Sequence, residues 1–360
     1  MVSVALMSAL AWGQGVNDFT VASQVLFAPS DLVWGQQQTV GSPSVVVHHP
    51  YDRPFADILL MVYETQIGGP TATCPAGTWG VGIAYRTGGS DTSPLRDAGG
   101  IILPAAGSYY SCVAAHPTIV QLSDVGMQGG QAWLVYFKAE QECAPGDTGC
   151  DRYTGLGKLV IRYQGSSVSG GRRVYSYSVE GPDTAPVLTD VAQDMGYPKA
   201  AYVGGQYRIA FSQNPDIYLA SSPLVDGFTA PATPVLTAGT PSTWGDDELF
   251  TPAILCEGSN ALKMFPGGRS WDVSPSMLTD VSVGRFDSSD FSTFTEAISG
   301  PYLSTQAGDP EIRHLHAASS GGYADYAFYF SSPNGAGGNE IRFAETSNYQ
   351  WRNTDTRRCP

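Results

Sequence analysis

The chain has 360 residues, with 33 acidic against 19 basic side chains and a net charge of −14. That balance excludes the clustered cations that nucleic-acid phosphates require. Its 42 glycines and 25 prolines are spread along the chain, as expected where many short strands each need a turn.

Met1 to Gly15 is apolar and uncharged, and Ala9-Leu10-Ala11 and Ala11-Trp12-Gly13 both offer a small-x-small cleavage pattern. Residues 1–15 are read as a secretory signal peptide, and residues 16–360 as one domain that is secreted or periplasmic. No other segment is long and apolar enough to span a bilayer. Phe19 to Phe27 supplies an outer strand, either to the first sheet or to the last.

From residue 40 one phrase recurs: a turn residue and proline open a short apolar strand, a turn follows, and an aromatic-rich strand returns. Ser42-Pro43-Ser44-Val45-Val46 leads to Leu59 through Tyr63, and His116-Pro117-Thr118-Ile119-Val120 leads to Ala132 through Phe137. Tyr197-Pro198-Lys199-Ala200-Ala201 leads to Tyr207 through Phe211, and Thr251-Pro252-Ala253-Ile254-Leu255 to Ala261 through Phe265. The fifth copy is read without its proline, Arg313-His314-Leu315-His316-Ala317 leading to Tyr326 through Phe330. Third strands follow at Gly80–Tyr85, Lys158–Tyr163, Asp216–Ala220, Val281–Phe286 and Glu340–Ala344. A repeat of this length and composition predicts a propeller. The expected fold is all-β: a monomeric five-bladed β-propeller with four-stranded antiparallel blades around a central channel. Inner strands start near residues 42, 116, 197, 251 and 313.

Six cysteines agree with export, since an even count in an oxidising compartment commonly means disulfides. The expected pairs are Cys143–Cys150 across a short loop, Cys74–Cys112 beside the first repeat, and Cys256–Cys359 tying down the tail. The rival reading, a zinc site, has no Cys-x-x-Cys behind it.

In a propeller the starts of the inner strands converge on the axis, so residues there line one concave site. This makes Ser42, His116, Tyr197 and Arg313 candidates for contact with a ligand, with Tyr110 and Trp244 as aromatic platforms for a sugar ring. Acidic groups gather in the same loops: Asp194, Asp247 and Glu248, with Asp309 and Glu311 before the fifth strand. His314 and His316 alternate on one strand face; with His116 they are either metal ligands or hydrogen-bonded channel residues. Glu64 and Glu345 are read as structural echoes of each other, and His48 and His49 as turn residues. There is no Gly-x-Ser-x-Gly, P-loop, His-Glu-x-x-His or sialidase Asp-box.

The strand opened by x-Pro, the glycine turn and the aromatic second strand resemble the five-bladed arabinanase and levanase glycosidases, family 43 above all, over residues 40–346. The resemblance implies a glycan-active protein whose partner is a poly- or oligosaccharide. It also implies a histidine of the last blade holding a central Ca2+ through its water shell, a role for His314 or His316. The family's catalytic carboxylates stand at positions occupied here by Ser42, His116 and Gly196. Hydrolysis therefore needs a relocated pair, with Asp194 and Glu248 as acid and base and Asp247 beside them. The alternative is a propeller that binds carbohydrate or protein and has lost the chemistry.

Overall fold

The computed structural model describes residues 19–346 apart from 36–38, 49, 51, 53–57, 88–94, 123–130, 145, 148–151, 190–194, 241–243, 246, 257–261, 270–281, 298–302, 305–307, 317–324 and 337. Among the described residues, apart from one 3-10 turn at Pro29–Asp31, every regular element is a strand. The first blade is β2 (Val40–His48), β3 (Ile58–Gly68), β4 (Thr78–Thr87) and β5 (Arg96–Ile102). The second is β6 (Val113–Gln121), β7 (Ala132–Glu140), β8 (Tyr153–Ser169) and β9 (Arg172–Glu180). One parallel bridge, Trp79 to Val113, joins these two sheets at their edge. The third blade is β10 (Gly196–Val203), β11 (Gln206–Gln213) and β12 (Asp216–Ser222), extended by a bridge from Ile217 to Leu236.

The fourth begins with β13 (Glu248–Cys256) and β14 (Leu262–Arg269). Its outer part is broken into β15 (Ser282–Val283), β16 (Phe286–Ser288), β17 (Thr295–Glu296) and β18 (Leu303–Ser304), so the continuous strand expected over Val281–Phe286 is two short pieces. The last sheet is β19 (Gly308–His316), β20 (Asp325–Pro333) and β21 (Asn339–Thr346). β1 (Phe19–Phe27) pairs antiparallel with β21, so the N-terminal strand completes the last sheet and not the first. This fastens the first described strand to the last, as the outer strand of the sheet that closes the ring.

The leading strands β2, β6, β10, β13 and β19 each touch the next, and β19 returns to β2, which closes the ring. The architecture is an all-β propeller. Alternate side chains of each middle strand enter the cores on either side. Trp133, Val135 and Phe137 of β7 pack with Leu60 and Val62 of β3, while Leu134 and Tyr136 pack with Tyr207 and Phe211 of β11. Sandwiched between neighbours, these strands are apolar on both faces, which is why they read as unbroken hydrophobic runs.

Two details of the sequence reading change. The fifth leading strand starts at Gly308 and not at Arg313, and it does carry the proline, as Asp309-Pro310. The hydrophobic stretch was matched to the wrong turn of the phrase because Arg313 and His314 interrupt the apolar run. His48, expected in a turn, is a buried residue of β2, and His49 lies outside the described residues.

Candidate functional site

In all five leading hairpins the ladder skips two residues at the same place: Ser42-Pro43, His116-Pro117, Tyr197-Pro198, Thr251-Pro252 and Asp309-Pro310. A proline has no N–H to give to a ladder, and a bulge is where that loss does no harm. Ser42, His116, Tyr197 and Thr251 take φ values of 46°, 48°, 53° and 43°. Left-handed backbone costs an L-residue about 1–2 kcal/mol, and such strain concentrates at functional sites. In each of the first four blades one non-glycine residue is thus turned out of the strand.

The residue before each bulge faces a partner on the second strand, and these partners form a second set: Glu64, Lys138, Ser212, Gly267 and Ser331. Skipping the ladder leaves the backbone N–H of the turned residue in need of an acceptor. The preceding blade supplies one. Ser42 N donates to Ser331 Oγ at 3.0 Å, and His116 N donates to Glu64 Oε2 at 2.7 Å. Gly41 completes this fit, since a Cβ there would sit 3.2 Å from both Glu64 Oε1 and Ser331 Oγ. One step further along, Ile119 N donates to Ser44 Oγ at 3.1 Å and Ala200 N to Thr118 Oγ1 at 2.9 Å. The last, first, second and third blades are therefore hydrogen-bonded in series around the axis.

Three of the sequence candidates meet here. Ser42 Oγ lies 2.8 Å from His116 Nδ1, and the imidazole lies against the Tyr197 ring at 4.1 Å between centroids. Glu64 Oε2 is 3.2 Å from the same Nδ1. Burial pushes the Glu64 carboxyl above its ordinary pKa, against hydrogen bonds from the His116 N–H and the Ser42 hydroxyl and against the positive charges of Lys199 and Lys138. A proton on Nδ1 satisfies both oxygens and leaves Nε2 on the opposite edge of the ring. Lys199 is buried and donates to the Pro43 carbonyl at 3.0 Å, linking the third blade to the first.

Other candidates fall elsewhere. Trp244 is buried in the fourth blade beside Phe286, and its Nε1 donates to Glu296 Oε1 at 3.1 Å, so its ring is core and not a platform. Tyr110 is half-buried against Tyr109 and Phe137 of the second blade. Glu248 is half-buried at the start of β13 and Asp247 is exposed beside it, while Asp194 lies outside the described residues. Arg313, His314 and His316 lie on β19, where the ladder shifts between His314 and His316. Among the described residues no group of three or more His, Cys, Asp or Glu is arranged to hold a metal. Calcium takes oxygen ligands, so two imidazoles would hold it only through water.

Sequence reasoning missed Glu64, Lys138 and Lys199. The first two are placed by hairpin register, which a linear phrase does not display.

The same chain path is found in solved structures. The fold is shared with propeller glycoside hydrolases. A protein described as "Glycoside hydrolase" superimposes with a TM-score of 0.59 at 12% identity, covering 95% of this chain and 96% of that one. The family 117 glycoside hydrolase Zg3597 of Zobellia galactanivorans gives 0.56 at 12% identity over 92% of each chain. The family 43 β1,3-galactosidase BT0265 gives 0.53 at 12% identity, over 91% of this chain and 60% of that one. No family model matches the sequence, and no curated protein matches it.

Of the cysteines, Cys74 and Cys112 are bonded as expected. Cys143 is disulfide-bonded, and Cys150, its expected partner, lies outside the described residues. Cys256 is on β13, and Cys359 is also outside them. Among the described residues no helix is long and apolar enough to cross a membrane.

Proposed function

We propose that this chain is a glycan-active propeller that binds a poly- or oligosaccharide where Ser42, His116 and Tyr197 meet, and hydrolyses it there. The observation that carries the reading is the identity of residue 64. In the last blade a serine, Ser331, is sufficient to accept the N–H of the turned residue. At the equivalent place between the first two blades stands a buried carboxyl, which also reaches the histidine side chain. Folding alone does not ask for that charge, and burying it is costly. A carboxyl group that holds Nδ1 fixes the tautomer and orientation of the imidazole, the arrangement of a histidine acid or base. The glycoside hydrolase neighbours support the substrate class.

Hydrolysis adds water across the glycosidic C–O bond. One group gives a proton to the departing oxygen, and another takes a proton from the attacking water. His116 is assigned one of these roles. The other falls to a carboxylate of a neighbouring blade, with Asp309 at the fifth bulge the first choice and Asp194 or Glu248 next. The disulfides support an oxidising compartment and hence export. A central Ca2+, held through water by His314 or His316, remains part of the proposal.

The test is a screen of arabinan, xylan, fructan and galactan that records both reducing-end release and retardation in affinity gels. Release that falls about a hundredfold or more in His116→Gln, with retardation kept, supports hydrolysis by this residue. Release abolished by Glu248→Gln or Asp194→Asn and unaffected by His116→Gln moves the chemistry to the relocated carboxylates. Retardation without release from any glycan identifies the non-catalytic binder.

A further inference from the structure

Between the first two blades, over the start of β6, lies a cleft of about 180 Å³ lined by Glu64, Ala76, Trp79, Val113, His116 and Lys138. We propose that it is a subsite for a single neutral sugar unit, with Trp79 as the stacking platform, adjoining the centre assigned to His116. This rests on the glycan-active reading above and adds to it the size and charge of the unit recognised.

The wall that carries Trp79 is built to be rigid. The indole packs against the Cys74–Cys112 disulfide and against Val113 and Ala115, and its Nε1 donates to the Ala76 carbonyl at 2.9 Å. Trp79 N donates to Cys112 O, and Cys112 N to Glu140 O, both at 3.0 Å. Cys143 N, itself on a bonded cysteine, donates to Thr73 O at 3.2 Å. The ring's polar edge and one side are therefore committed to the protein. What remains toward the cleft is apolar aromatic surface held in one orientation, which lowers the entropy cost of binding. An apolar surface with a few fixed polar groups is how small-ligand sites are made.

The polar groups set the class of ligand. Lys138 Nζ lies 3.0 Å from Glu140 Oε1, so the cation on this wall is already matched by a carboxylate also in the lining. Glu64, as a carboxyl group, brings no positive charge to the lining. An acidic sugar would meet no unmatched positive charge here, whereas hydroxyl groups find both a donor and acceptors. The volume is below the roughly 300–1,000 Å³ typical of drug-sized ligands, which suits one ring and not a stretch of chain.

The experiment compares the intact protein with Trp79→Ala and Ala76→Trp in affinity gels containing xylan, arabinan, galactan or polygalacturonate. Tryptophan fluorescence is titrated in parallel. Ala76 is exposed at the cleft mouth, so a tryptophan there blocks the space without emptying the wall and covers the case in which Trp79→Ala unfolds. The expected result is retardation by a neutral glycan that weakens roughly tenfold or more in both folded variants, with a fluorescence change lost in Trp79→Ala. Retardation of the intact protein that both variants retain overturns the subsite and leaves the reading of the His116 site standing. Preference for polygalacturonate over every neutral glycan overturns the assigned class. Absence of retardation by all four polymers overturns the subsite together with the reading on which it rests.

Discussion

The seam between the first two blades has a histidine at each end, and the two are treated in opposite ways. His116 stands at the start of β6 among a hydroxyl, a carboxyl and a tyrosine ring, with 19% of its side chain exposed. His48 stands at the far end of β2, six residues and about 20 Å of strand beyond Ser42. It is 3% exposed, stacked on Trp133 at 4.9 Å with a 9° interplanar angle and bordered by Tyr163 at 4.8 Å. Tyr85, Tyr175 and Tyr177 extend this aromatic end. One end is fastened by apolar area and ring contacts, the other by hydrogen bonds to groups whose charge is expensive to bury. The aromatic end supplies stability that the polar end uses up, the division expected where a rigid scaffold carries a strained site.

The sharpest way to break this comparison is Trp133→Ala. Trp133 is 4% exposed and touches both His48 and Tyr177, so its loss should cost about 3–5 kcal/mol, read as a lower urea midpoint. A loss below about 1 kcal/mol would mean that the aromatic end does not hold the seam.

Glu64→Gln probes the polar end through pH. The Glu64 carboxyl is raised from 4.5 by burial, so the folded state holds its proton more tightly than the unfolded chain does. Stability from this group is present below pH 4.5 and is lost as pH rises through the folded pKa. The glutamine variant lacks that loss. Its stability relative to the parent should therefore climb with pH across the window and then level off. The climb amounts to about 1.4 kcal/mol for each pH unit separating the folded from the unfolded pKa. Thermal melts from pH 4 to pH 8 measure it, and a relative stability that falls with pH contradicts the assignment.

How much of this was legible in the chain differs between the two ends. Four of the five bulges announce themselves, because a proline after Ser42, His116, Tyr197 and Thr251 marks where a ladder breaks. The fifth was misplaced because Asp309-Pro310 is followed by a polar stretch, and hydrophobic pattern was weighted above the proline. Glu64 was dismissed for its likeness to Glu345, although its importance lies in register. It faces Gly41 across a hairpin and thereby reaches the next blade, which a linear phrase does not display. Trp244 and His48 fail for a related reason: in a sheet packed on both faces, a residue beside a turn signal can still be core. Nothing in the spacing of His48, Trp133 and Tyr163 predicts that two neighbouring blades bring them together.

The smallest expected effect lies just outside the aromatic end. Asp52, in the link between β2 and β3, accepts from Tyr163 Oη at 2.8 Å and from Ser166 Oγ at 2.6 Å, clasping the long β8 arm of the second blade. Slight burial raises its pKa, but the hydrogen bonds from Ser166, Tyr163 and the backbone outweigh that, and the net shift is downward from 3.8. The sign is opposite to that of Glu64. The clasp contributes above pH 3.8 and is lost as pH falls through the folded value. Because Asp52 is exposed, solvent screening limits the contribution to about 0.5–1 kcal/mol. Asp52→Asn should therefore lower the urea midpoint slightly at pH 7, by a margin that shrinks as pH falls through the folded value. If the deficit persists unchanged at pH 2, the clasp works through shape and not through the carboxylate. The two ends of the seam would then differ in packing alone.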